Sequence, residues 1–66
     1  MVNEIVISQL NIFLKGAKVK LAQPDKGQEN ERKIIDKLEW NPEMELFKVY
    51  LEDGTWNHID FLDLDI

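Results

Sequence analysis

The stretch Phe47–Leu64, FKVYLEDGTWNHIDFLDL, decides the fold. Successive side chains of a strand point to opposite faces. Phe47, Val49 and Leu51 therefore share one face, and Leu46, Lys48, Tyr50 and Glu52 share the other. The first set is the better core set. Glu52-Asp53-Gly54-Thr55 then makes a tight turn, since Asp-Gly between alternating segments is a strong short-range hairpin signal. TWNHI, residues 55–59, is the returning strand. DFLDL, residues 60–64, is short for a helix and reads as a single 3₁₀-like turn. Leu64, or Ile66 beyond it, starts a last short strand.

Working outward, ERKIIDKLEW at residues 31–40 is a further strand. Strict alternation would set Ile35 against the face of Ile34, Leu38 and Trp40. A bulge near Asp36-Lys37 brings Ile35 and Leu38 to one side. NPEM, residues 41–44, is a turn with Pro42 at its second position. AKVKLA, residues 17–22, alternates Ala17, Val19 and Leu21 against Lys18 and Lys20 and is a half-buried antiparallel strand. QPDKGQEN, residues 23–30, is a polar turn and the most mobile connection. Lys15-Gly16 is a break.

The first fourteen residues support two readings. Val2, Ile5, Val6, Gln9, Leu10, Phe13 and Leu14 fit a helical stripe with one polar gap, while Leu10, Ile12 and Leu14 alternate. Three consecutive β-branched residues, Ile5-Val6-Ile7, favour extended structure. We expect a strand near residues 3–8, followed to Leu14 by a segment that the pattern leaves open.

Strands about every 8–14 residues, separated by polar turns, describe a small all-β meander. About five short strands laid flat would leave two exposed edges, and rolling into a small barrel removes most of that liability. Sixty-six residues is one domain, residues 1–66. A core of this size rarely supplies more than about 3–5 kcal/mol. With no cysteine, neither a disulfide nor a thiolate–zinc site can add to it.

KGAKVKLA, RKIIDKLEW and the opening stretch together resemble the SH3-like barrel group that includes Tudor, chromo-barrel and KOW-type modules. The matching residues are Gly16 with Val19, Ile34 and Ile35, Val49 and Leu51 before Asp53-Gly54, Trp56 after it, and Asp63-Leu64. The resemblance covers about residues 15–66. It implies an SH3-like barrel of about five antiparallel strands, with residues 1–14 as an N-terminal extension or added strand. Tudor-type barrels that read methylated side chains use converging aromatics and an acid. Trp40, Tyr50, Trp56 and Phe61, with Asp53 or Asp60, are the residues available for such a cage. Small phage and prophage proteins also use this barrel.

Little in the chain suggests catalysis. His58 is the sole histidine, cysteine is absent, and Ser8 and Thr55 are the only aliphatic hydroxyls, so a hydrolytic triad is not expected and no catalytic residue is assigned. One histidine without cysteine excludes the usual zinc sets. Asp60, Asp63 and Asp65 lack the glycine and glutamate spacing of a calcium loop. They read as a solvated acidic turn, with Asp60 or Asp63 capping it. The isolated glycines form no phosphate loop, and we expect neither a cofactor nor a metal.

Charge is divided along the chain. Net charge is −5, made of −1 over residues 1–14, +3 over residues 15–37 and −7 over residues 38–66. An acidic half attracts basic partners and repels phosphate. Tyr50, Trp56 and His58, with Trp40, Asp53 and Asp60, are the expected partner-binding residues, since Trp and Tyr anchor interfaces. The expected function is a small acidic protein-binding module docking on a basic surface. An inhibitor of a host protein, encoded by a phage or mobile element, is one form of it. Nucleic acid is the competing partner, through Lys15, Lys18, Lys20, Lys26, Arg32, Lys33 and Lys37 with Trp40 or Tyr50 as stacking platforms. Self-association through residues 1–14, giving a homodimer, is the third. Residues 1–14 lack a basic leader and are interrupted by polar residues, so neither a signal peptide nor a membrane span is expected, and the location is cytoplasmic.

Overall fold

The computed structural model describes residues 3–65. Helix α1 (Glu4–Leu14) is followed by β1 (Lys18–Leu21), β2 (Lys33–Asn41), β3 (Leu46–Leu51), β4 (Trp56–His58), a 3₁₀ turn (Ile59–Phe61) and β5 (Leu62–Leu64). The strands form one antiparallel sheet in the order β4-β3-β2-β1-β5.

Helix α1 takes in residues 4–8, which corrects the strand expected near residues 3–8 and makes the fold mostly β rather than all-β. Asn3 takes an extended backbone at the N-cap, and its Oδ1 accepts a hydrogen bond from the Val6 N–H at 2.9 Å. Glu4 lies in the first turn, where the helix dipole favours an acid. Ile7, Leu10, Asn11 and Leu14 are its half-buried positions, at i, i+3, i+4 and i+7. The β-branched run lost because that spacing lays one face on β2. Gly16, at φ 85°, ends the helical segment, and its N–H donates to the Ile35 carbonyl at 2.8 Å.

β2 carries a register shift between Ile35 and Lys37. The bulge fulfils the sequence expectation, because Ile35 and Leu38 are both buried. It also bends the strand. Lys33 and Ile34 pair with β1, while Ile35 and Lys37–Asn41 pair with β3. The β3–β4 loop has Gly54 at φ 89°, with the Gly54 N–H donating to the Leu51 carbonyl and the Leu51 N–H donating to the Thr55 carbonyl. This is a turn followed by a left-handed glycine, a favoured three-residue hairpin connection. At the β2–β3 turn, Asn41 Oδ1 accepts from the N–H groups of Glu43 and Met44.

The 3₁₀ turn forces the sheet to curl. Four strand spacings of about 4.8 Å would put β4 and β5 about 19 Å apart on a flat sheet. A three-residue 3₁₀ turn rising about 2 Å per residue cannot reach that far. The sheet therefore curves around Val19, Ile35, Leu38, Val49, Leu51 and Leu62, with Leu14, Ala17, Leu21 and Phe47 packed against them. It is not closed: β4 and β5 are its two edges. β5 begins at Leu62, earlier than the expected Leu64, and Ile66, like Met1 and Val2 of the extension, lies outside the described residues. No side chain caps the 3₁₀ turn. Asp63 instead stands opposite Lys20 in the β1–β5 ladder.

Candidate functional site: an aromatic and lysine face on the outer sheet

The outward faces of β2, β3 and β4 bring the site residues together. Tyr50 stands directly across from Trp56, and Lys48 across from His58. On the other side of β3, Lys37 opposes Tyr50 and Glu39 opposes Lys48. The alternation puts Val49, opposite Asn57, on the inner face, where it is 1% exposed. Trp56 remains 45% exposed.

Lysine organises this face. The Lys48 ammonium lies 4.1 Å from the Trp56 ring centre and 5.1 Å from that of Tyr50, and the Lys37 ammonium lies 4.9 Å from Tyr50. The negative ring faces attract each ammonium with roughly 0.5–1 kcal/mol at exposed positions. His58 meets Trp56 edge-to-face at 5.3 Å. The result is an ordered, amphipathic platform rather than a set of loose rings. Lys48 was legible as a face-mate of Tyr50 from period 2. Lys37 was not legible as one, because only the bulge at Asp36 turns it outward.

The remaining expected site residues lie elsewhere. Trp40 pairs with Phe47 and contacts it edge-to-face at 5.0 Å. By alternation it sits on the opposite side of the sheet from Tyr50 and Trp56, so these three rings do not line one cage. Asp53 belongs to the hairpin tip. Its Oδ2 accepts from Lys33 Nζ at 2.7 Å, and its Oδ1 accepts from the Thr55 N–H and hydroxyl. Lys33 chiefly, then the two Thr55 donors, hold its carboxyl well below the usual carboxylate range. Asp60 is exposed on the 3₁₀ turn, as is Phe61.

The Thr55 hydroxyl is committed to Asp53 and Lys33, and His58 faces Trp56, so the two do not form a nucleophile–base pair. Of the cationic residues, Lys33 is paired with Asp53 and Arg32 with Asp65 at 3.0 Å. Inside the curl, a cavity of about 70 Å³ is lined only by aliphatic side chains, among them Leu14, Leu38 and Val49. It offers no polar group to orient a substrate. No helix among the described residues is long and apolar enough to cross a membrane.

Compared with protein-family models, curated proteins and solved structures, the chain gives no match to any of them.

Proposed function

We propose that the chain is a small protein-binding module, without enzymatic activity, that uses the outer face of β3 and β4 as its contact surface and an SH3-like barrel as its scaffold. The observation that carries this reading is the cross-strand pair of half-buried Tyr50 and exposed Trp56, clamped by Lys48 and continued by His58. Rings held in place lose little further freedom on binding, and Trp and Tyr bring a large apolar area with a polar edge. The strand order, with β5 returning to β1 after a single 3₁₀ turn, supports the SH3-like assignment.

The partner presents a basic surface. Glu39, Glu43, Glu45, Glu52, Asp60 and Asp63 form no ion pair among the described residues, and the whole chain carries −5. An acidic chain speeds encounter with a basic protein while the rings supply the buried area. Occupying the basic groove of a nucleic-acid enzyme, as an inhibitor from a mobile element would, suits the size and acidity. Pull-down from the native host tests the reading: wild type captures one protein, and the Trp56→Ala, Tyr50→Ala double variant does not. Equal capture by a folded double variant removes the assignment.

Lys37 and Lys48 favour a second reading, nucleic-acid binding, because they share the face with the rings. Their ammoniums, however, cover the ring faces on which bases would stack. A shift of labelled single-stranded DNA at about 50 mM salt would favour this second reading over the first.

A further inference from the structure

Helix α1 carries a second apolar face that the fold leaves uncovered. Ile5 is 71% exposed, Val6 43%, Ile12 80% and Phe13 83%. At about 100° per residue, all four point within roughly 60° of the direction of Gln9. They are also placed symmetrically along the helix: Ile5 and Val6 precede Gln9 by four and three residues, and Ile12 and Phe13 follow it by three and four. The face is a palindrome in both directions, around the helix and along it.

We propose that this face is a self-association surface on which α1 packs antiparallel against α1 of a second copy, with the two-fold axis at Gln9. A two-fold contact is isologous: residue 9 − k of one copy meets residue 9 + k of the other. Ile5 then packs on Phe13, Val6 on Ile12, and Gln9 on Gln9. An amide is both donor and acceptor, so two facing glutamines satisfy each other. A second copy presents the same stripe in reverse order, so the two surfaces match layer by layer about Gln9.

Charge permits the contact. The chain carries −5, yet among residues 1–14 the sole charged side chain is Glu4, which lies outside the stripe. Two copies can therefore approach through this surface without bringing carboxylates together. The four side chains offer roughly 500 Å² per copy, at about 150–250 Å² for the phenylalanine and about 60–120 Å² for each aliphatic side chain. A pair burying about 1,000 Å² falls at the small end of specific interfaces, so the dimer is reversible and depends on concentration.

The test uses the full chain in sedimentation equilibrium across micromolar to millimolar concentrations. Wild type is expected to pass from monomer to dimer; a monomer throughout overturns the proposal, including one that instead binds neutral or anionic lipid vesicles. Ile5→Lys and Phe13→Glu, each alone, should be folded monomers by circular dichroism and sedimentation. Both sites face solvent, so folding is not at stake. Mixed one to one, the two variants should dimerise as the introduced ammonium of one meets the introduced carboxylate of the other across the axis. A mixture that stays monomeric overturns the antiparallel register. The Trp56→Ala, Tyr50→Ala variant should dimerise like wild type, which separates this surface from the proposed partner-binding face.

Discussion

The side-chain amide of Asn11 hydrogen-bonds the backbone of Leu38 at both of its polar groups. Oδ1 accepts from the Leu38 N–H at 2.6 Å, and Nδ2 donates to the Leu38 carbonyl at 3.1 Å and to the Ile7 carbonyl at 3.0 Å. β2 is longer than its partner β1, which pairs only with Lys33 and Ile34. Beyond that point a helix residue supplies what a neighbouring strand would have supplied. An unpaired backbone edge at this depth would cost about 1–3 kcal/mol.

Asn11→Leu keeps the branched heavy-atom shape and removes all three side-chain hydrogen bonds. It should lower unfolding free energy by about 2–3 kcal/mol, a large share of the roughly 3–5 kcal/mol expected for such a domain. Urea titration followed by Trp fluorescence measures it. An unchanged midpoint would mean that the Asn11–Leu38 contact contributes nothing.

Asp53 makes stability depend on pH. Its folded-state pKa lies below its unfolded value, chiefly because of Lys33. Its contribution is therefore complete above the unfolded carboxylate pKa of about 4 and is lost as pH falls below it. Wild type should be more stable than Asp53→Asn at pH 7, and the two urea midpoints should converge towards pH 2. Parallel curves across that range would contradict the ion pair. The pair is part-exposed, so added salt should narrow the gap at pH 7.

Glu45 has φ 55°, the only positive value among the non-glycine residues described. The left-handed region costs a side-chain-bearing residue roughly 1 kcal/mol, and glycine avoids most of that cost. Glu45→Gly should stabilise the β2–β3 hairpin by up to about 1 kcal/mol, seen as a higher thermal midpoint. A lower midpoint would show that the turn depends on the glutamate side chain.

Leu51 and Lys48 are three residues apart on β3 and face opposite ways. Leu51→Ala should cost about 2–5 kcal/mol and leave the domain largely unfolded. Lys48→Ala should cost no more than about 1 kcal/mol while altering Trp56 emission through loss of the overlying ammonium. Similar losses at both sites would mean that β3 is not two-faced.

From Ala17 onward, local rules carried most of the fold. Alternation fixed the inward set Phe47, Val49 and Leu51, Asp53-Gly54 fixed the hairpin, and the mismatch between Ile35 and Leu38 announced the bulge. Those features depend on spacing within one strand or turn, which the chain writes directly. The register that sets Tyr50 against Trp56 follows from that turn, so the core of the candidate site was legible as well.

Tertiary contact was needed to decide residues 4–14, because apolar side chains at Ile5, Val6, Ile7, Leu10, Ile12, Phe13 and Leu14 satisfy both the helical and the extended period. The tie was broken by Asn3 capping the first turn and by Asn11 reaching a strand 27 residues away. The same holds for Trp40, which sits on the side of the sheet away from Trp56, and for Lys37, turned outward by a bulge. Amino-acid order specifies what each segment can bury. Which of two equally apolar faces is buried depends on the free energy of contacts between distant segments, and no local pattern contains that term.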